Sequence, residues 1–347
     1  MSDVLLSVND LKVEFETYGG TVQAVRGVSF DVEKGKTLAI VGESGCGKSV
    51  TVQSVMGLIP MPPGKISSGQ ALLRGTDILG RKTINGQDIR GDQIGMIFQD
   101  PMTSLNPTMN IGNQIAETLI VHRGYSKKQA FERAIELLEL SKIPEPEKRA
   151  KQYPFEFSGG MLQRAMIAMA IACEPDILIA DEPTTALDVT IQAQILDLLA
   201  DLQKENGMSI ILITHDLGVV ARMADEVLVM YAGQVVEQGS VDDVFYRSGH
   251  PYTLGLREAM PTNDKDGARK LTPIDGSPPD LFQPPVGCGY AARCPYAMQV
   301  CIDHPPQTHD LDEFHFSRCW LHHQDNTQQV DRIHHIHNSN AGVDAHE

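Results

Sequence analysis

Residues 42–49 read Gly-Glu-Ser-Gly-Cys-Gly-Lys-Ser, which sets glycines, a lysine and a hydroxyl at the spacing G-x-x-x-x-G-K-[ST]. That spacing suits phosphate. The backbone from Gly42 through Glu43, Ser44, Gly45, Cys46 and Gly47 can wrap its N–H groups around phosphate oxygens. Lys48 then reaches the β and γ phosphates and the Ser49 hydroxyl binds Mg²⁺, while the helix that follows points its positive end at the anion. The competing reading is a chance glycine-rich turn. A short apolar strand before the loop and a helical pattern after it weigh against chance.

A second piece of chemistry stands in Ile-Leu-Ile-Ala-Asp-Glu-Pro at 177–183. At the end of a buried strand, Asp181 is placed to hold Mg²⁺ through water and Glu182 to take a proton from attacking water. Alone, paired acids after a strand would read as a helix cap. Beside a phosphate loop they read as the hydrolytic half of a nucleotide site.

The third cluster is Cys288, Cys294, Cys301 and Cys319, with gaps of 5, 6 and 17 residues. Such a wrapped loop can gather four thiolates on one centre. Cys294-Pro295 after Arg293 and the short gaps favour an iron–sulfur cluster. Tetrahedral Zn²⁺ is the runner-up, without its usual two-residue cysteine spacing. A pair of disulfides is disfavoured in a reducing compartment, and free structural thiols remain an alternative. His322 and His323 beside Cys319, and the histidines at 334–337, read as a solvated segment rather than ligands. Cys46 has no evident chemical role, and its thiol is expected to make the loop sensitive to alkylation.

The elements that must position these groups follow from periodicity. Stretches 4–16 and 22–33 alternate apolar and polar residues about Gly19-Gly20, as two antiparallel strands do. Residues 37–42 form a short apolar strand feeding the loop, with helical spacing of Val50, Val52, Val55, Met56 and Ile59 beyond it. The section from about 110 to 150 shows apolar residues three and four apart. A helix rich in alanine and methionine follows at 159–173. Runs 177–181 and 209–215 have the unbroken apolar character of strands buried on both faces of a parallel sheet, with a helix between them. Residues 226–239 read as a hairpin turning at Ala232-Gly233.

From His250 onward prolines cluster and apolar periodicity fades, which places a boundary near 248–262. These elements account for roughly 250 residues as one α/β domain, followed by a small cysteine-containing C-terminal extension. The expected division is 1–250, 251–325 and a disordered tail at 326–347.

Composition limits the alternatives. The chain has 347 residues, 41% of them hydrophobic and 21% charged, as soluble globular proteins do. No apolar run reaches the roughly 18–20 residues that span a bilayer. The first residues lack a basic stretch followed by an apolar core, so no signal peptide is expected and the chain belongs in the cytoplasm. A net charge of −16 argues against nucleic-acid partners and direct binding to anionic lipid.

The order of motifs resembles the ATP-binding subunits of ABC (ATP-binding cassette) transporters. The resemblance rests on residues 42–49, Gln99 in MIFQDP, FSGGMLQR at 157–164, ILIADEP at 177–183, ALD at 186–188 and His215 in ITHD. It implies an α/β fold of the ABC type, a parallel-sheet ATPase core with an antiparallel β subdomain and a helical subdomain. It implies too that Ser158, Gly159 and Gly160 contact the γ-phosphate of ATP held by the opposite subunit of a dimer. Serine and two glycines ahead of an alanine-rich helix are indeed a second anion-binding helix start. The resemblance further implies that Gln99 senses the γ-phosphate or Mg²⁺, alongside Ser49 and Asp181, and that His215 contacts the γ-phosphate. Adenine is expected to stack on Phe15, with Tyr18 the runner-up. Met161 departs from the glutamine that many family members carry.

Repair and chromosome ABC proteins separate the halves of the site by long coiled coils, whereas only about a hundred residues without heptads lie between Lys48 and Ser158. The segments FQDPMTSLNPTMNIGNQIAE, DEPTTALDVTIQAQI and VMYAGQVVEQG, then HPYTLGL and RCPYA, are similar to the oligopeptide/dipeptide importers. That family implies a heterodimer with a homologous ATPase, two membrane permeases and an extracytoplasmic substrate-binding protein, at the cytoplasmic face of the membrane. It also points to 4Fe–4S for the four cysteines. The rival is a soluble ABC ATPase with a regulatory or redox-sensing role.

Overall fold

The computed structural model describes residues 3–79, 83–84, 87–185, 187–260 and 273–324. The tail expected at 326–347 and Ala186 lie outside the described residues.

The alternating stretch at the start forms two long strands, β1 (Val4–Thr17) and β2 (Gly20–Glu33), paired antiparallel. Gly20 already pairs with Thr17, so the turn falls at Tyr18 and Gly19, one residue earlier than expected. β3 (Thr37–Val41) is wholly buried and runs into the glycine loop, after which α1 (Lys48–Val55) begins. β4 (Gly64–Leu73) then returns alongside β1, and β5 (Thr76–Asp77) completes a four-stranded sheet in the order β2-β1-β4-β5. The sequence hid β4 because two serines and Gly69 break its pattern. Gly69 sits at φ +118°, where a Cβ would come 2.7 Å from Leu11 Cα.

A short pair, β6 (Thr83–Ile84) and β7 (Gln87–Asp88), precedes β8 (Ile94–Ile97). Helices α2 (Pro101–Ser104), α3 (Ile111–Arg123), α4 (Lys127–Leu140), α5 (Pro146–Arg149) and α6 (Gly159–Ala170) follow. Asn110 and Ser126 cap α3 and α4. α6 stops three residues short of the expected end, ahead of Pro175, a residue that cannot continue a helix.

The remaining core elements are β9 (Ile177–Asp181), α7 (Val189–Asn206), β10 (Ser209–Thr214), α8 (Leu217–Met223), β11 (Glu226–Tyr231), β12 (Gln234–Ser240), α9 (Val241–Tyr246) and α10 (Pro251–Glu258). Strands β3, β8, β9, β10 and β11 pair in parallel, and β12 turns back antiparallel on β11. One large core packs α3, α4, α6 and α7 against the parallel sheet, while a second fills the space between the two sheets around α1.

The extension does not pack as a separate body. α11 (Gln299–Asp303) lies within its cysteine segment, and β13 (His309–Asp312) and β14 (His315–Ser317) extend the main sheet to the order β13-β14-β12-β11-β3-β10-β9-β8. Glu237 on β12 pairs with Ser317 on β14. The Glu237 carboxylate is fully buried. It accepts from the Gly249 N–H at 2.6 Å and the His250 N–H at 2.9 Å, and lies 2.8 Å from His315 Nε2. Tyr231, Tyr252 and Tyr290 meet in a third core that bridges β11, α10 and the extension. The change in texture near residue 250 is thus a change of composition within one continuous sheet and core.

Candidate active site

The loop at 42–49 occupies the gap between β3 and α1, where the parallel sheet's C-terminal edge meets a helix start. Gly47 precedes α1 at φ +101°, and a Cβ there would lie 2.5 Å from the Ala24 carbonyl oxygen. Only glycine can hold that position. Lys48 is 5% exposed, and its ammonium donates to the carbonyls of Gly42 (2.7 Å) and Glu43 (3.0 Å).

Asp181 ends β9, which β10 separates from the loop-bearing β3, and the Ser49 hydroxyl donates to its Oδ1 at 2.9 Å. Burial pushes the Asp181 carboxyl up from its ordinary range, and the Ser49 hydrogen bond draws it back. The pair assembles the hydroxyl–carboxylate combination that Mg²⁺ favours. Gln99, expected there as a third magnesium group, is instead turned to Glu182, donating from Nε2 to Oε2 at 2.8 Å. With a carboxylate this close, the amide is satisfied locally.

Glu182 follows in the left-handed region at φ +47°, a strained backbone for a side chain of its size. Its N–H donates to the Ile213 carbonyl at 2.9 Å, which ties it to β10. Its carboxylate also accepts from Thr185 Oγ1 (3.0 Å) and stands 3.4 Å from His215 Nδ1. Sequence residues far apart therefore converge: Gln99, Glu182 and His215 form one polar group, Ser49 and Asp181 another. A carboxylate so oriented can accept a proton from water, and a neighbouring imidazole can reach a phosphate oxygen.

Ser158 caps α6, with Gly159 and Gly160 as its first residues. They line an open cleft together with Met161, Arg164 and Asp188, and no residue of 42–49 lines it. Gly160 packs against Ile191, where a Cβ would come within 2.9 Å of Cγ2.

Phe15 is half-buried beside the core between the sheets, and Tyr18 is exposed at the β1–β2 turn. Cys46 is 5% exposed, and burial raises its thiol pKa, so the expected sensitivity of the loop to alkylation does not follow.

Cys288, Cys294, Cys301 and Cys319 line a single cavity with His250, Tyr290 and Trp320. Among the described residues, no three His, Cys, Asp or Glu side chains stand as a ready site for a metal ion, so the expected centre is not preformed. Burial pushes the Cys288 and Cys319 thiols up, and Cys294 up to about 11. Sequence reasoning missed Tyr252 and Arg293, which reach the glycine loop from the extension. The only signal was their place in HPYTLGL and RCPYA.

The family model for ABC transporters matches residues 25–185, and that for the oligopeptide/dipeptide transporter C-terminal region matches 236–301. The oligopeptide transport ATP-binding protein OppD of Bacillus subtilis is 58% identical over 321 residues, covering 92% of this chain and 90% of the relative. The chain belongs to the ATP-binding subunits of oligopeptide/dipeptide ABC transporters. It is an ATP-hydrolysing cassette subunit. The dipeptide transport ATP-binding protein DppD of the same organism is 58% identical over 318 residues, and OppD of Salmonella typhimurium 53% over 305. Among solved structures, the dimeric ATP-binding cassette MJ0796 bound to ADP and Pi superposes with a TM-score of 0.59 at 27% identity, over 68% of this chain and 98% of that one. Among the described residues no helix is long and apolar enough to cross a membrane.

Proposed function

We propose that this cassette subunit drives import of oligopeptides or dipeptides, working as one half of a heterodimer with a homologous ATPase beneath two permeases fed by an extracytoplasmic binding protein. Residues 1–250 serve as the ATP-binding domain and 251–325 as an importer-specific extension, peripheral at the cytoplasmic face. The observation that carries the composite site is the separation of its parts: Ser158, Gly159 and Gly160 line a cleft of their own, which the loop at 42–49 does not enter. A helix start offered to solvent suits a phosphate brought by another subunit. Within the chain, Lys48 and the loop N–H groups hold the phosphates, Ser49 and Asp181 hold Mg²⁺, Glu182 takes the proton of the attacking water, and Gln99 and His215 face the γ-phosphate. Phe15 is the aromatic assigned to adenine. The peptide substrate is supported by the names of the relatives OppD and DppD.

Detergent extraction of the tagged chain is expected to bring down two permeases and a second ATPase, with hydrolysis stimulated by peptide-loaded binding protein. A soluble homodimer with full activity and no membrane partner would favour the regulatory alternative.

We also assign the cysteine cavity to a 4Fe–4S cluster held by Cys288, Cys294, Cys301 and Cys319. Beyond the shared cavity, support comes from His250. Its Nδ1 accepts the Tyr252 N–H at 3.0 Å, and its Nε2 is buried without a hydrogen-bond partner among the described residues. Burial lowers its pKa to about 3, so the ring is neutral and Nε2 carries a proton available to a sulfur. When bound, the cluster supplies cross-linking to a segment with little apolar core. Anaerobic purification should give a brown protein absorbing near ~400 nm with about four iron atoms per chain. A colourless chain carrying one zinc atom would reject the assignment.

A further inference from the structure

Two side chains of the extension, Arg293 and Tyr252, meet the nucleotide loop at Glu43. The Glu43 carboxylate is gripped by Arg293, Nη1 to Oε2 at 2.7 Å and Nη2 to Oε1 at 3.0 Å, the two-pronged geometry that only a guanidinium provides. The Glu43 N–H donates to the Tyr252 hydroxyl at 2.8 Å. The remaining backbone group of Glu43, its carbonyl, accepts from Lys48. One loop residue therefore links the phosphate-binding lysine to two side chains that lie more than 200 positions away in the sequence.

Arg293 is itself held. Its side chain is 5% exposed, donates to the Tyr231 hydroxyl (3.1 Å) and to the carbonyls of Asp275 (2.9 Å) and Ile274 (3.2 Å), and lies 5.8 Å from the centre of the Tyr231 ring. A guanidinium fixed on this many sides has little freedom of its own, so it imposes a position on Glu43. The loop needs such a hold. Gly42, Gly45 and Gly47 all adopt positive φ, and a backbone this rich in glycine has many alternative shapes. The arginine also adjoins Cys294, which connects the loop to the segment that wraps the cysteine cavity.

We propose that Arg293 is a positioning residue for ATP: through Glu43 it sets the shape of the phosphate loop, so that nucleotide affinity depends on the folded extension. The proposal rests on 42–49 being the ATP site. A cassette with its extension displaced would still possess Lys48, Ser49, Asp181 and Glu182, but its loop N–H groups would no longer be aimed together at the phosphates. Small misplacements of this kind weaken function by up to about 10²-fold even when the mutated residue is remote from the chemistry.

The test measures binding of a fluorescent ATP analogue to the full-length chain, and KM and kcat for ATP in the assembled transporter. Arg293→Met and Glu43→Gln should each weaken binding by between ~10-fold and ~10²-fold and raise KM correspondingly, and Arg293→Met should keep kcat within about twofold of the parent. The double variant should bind no more weakly than the weaker single variant, because both remove the same link. Arg293→Lys should recover part of the affinity, which a space-filling role would not require. Unchanged affinity in Glu43→Gln, or effects that multiply in the double variant, would overturn the proposal. Glu43→Gln leaves the other bonds of Arg293 in place and so decides the matter even if Arg293→Met does not fold. Lys48→Ala separates the two levels. If it binds the analogue as the parent does, the site assignment fails and the proposal with it. If it loses binding while Glu43→Gln keeps it, the assignment stands and the positioning role alone is rejected.

Discussion

Replacing Glu182 by glutamine is expected to leave ATP binding within about twofold of the parent and to slow turnover by at least ~10²-fold, the range for loss of a general base. The geometry explains why the effect should fall on kcat. Glutamine preserves the shape of the side chain and can still meet Gln99 and Thr185, both within 3.0 Å of the present carboxylate. It removes the charge and basicity needed to take a proton from water. The backbone makes the position exacting as well. Glu182 sits at φ +47°, and a non-glycine residue there carries strain of about 1–3 kcal/mol that the surrounding structure must hold. The hydrogen bond from its N–H to Ile213 fastens it to the adjacent strand, so the side chain projects from a fixed point. Steady-state hydrolysis by the assembled transporter, with equilibrium nucleotide binding to the same variant, separates the two quantities. Turnover equal to the parent would remove Glu182 from the mechanism.

The second large effect is expected at Gly47. Substitution by alanine should abolish measurable ATP binding, a loss beyond ~10²-fold, and lower the thermal midpoint of the chain without nucleotide. Two causes act together. The dihedral at φ +101° is one that side chains rarely adopt, a strain of about 1–3 kcal/mol. The added Cβ would also stand 2.5 Å from the Ala24 carbonyl oxygen, a backbone atom of β2 that cannot rotate away. Relief requires moving the start of α1, and with it the N–H groups that face the phosphates. Calorimetric titration with ATP and a thermal melt would check both parts. Alanine is the smallest possible change, so affinity equal to the parent would show that the start of α1 does not set the site.

Much of this was legible in the sequence for a physical reason. Residues 177–181 and 209–214 are buried on both faces, and such strands are written as unbroken apolar runs that leave little room for another reading. The phosphate loop is equally explicit, since its glycines are demanded by dihedral angles that no other residue tolerates. What stayed hidden was whatever depended on distant partners. The turn of Gln99 toward Glu182, across 83 positions, follows from strand order and leaves no local trace. The burial of Cys46 comes from the packing of its neighbours, so a residue in the middle of an accessible motif proved inaccessible. The extension hid the most. Its prolines and weak periodicity gave no sign of a strand, and β14 needs only three residues to join the main sheet, too few for any pattern to declare itself. Arg293 and Tyr252 gave no hint of their reach because their partner, Glu43, lies at the other end of the chain.

The pairing of β12 with β14 has a consequence for how such chains can be shortened. Stopping the chain near residue 250 would strip β12 of its outer neighbour and leave a row of open backbone donors and acceptors at the rim of the sheet that remained. The same cut would take His315 away from Glu237, whose carboxylate would lose a partner 2.8 Å away. A minimal cassette made in this way would invite sticky edge-to-edge assembly between copies, and insolubility would be mistaken for a missing membrane partner.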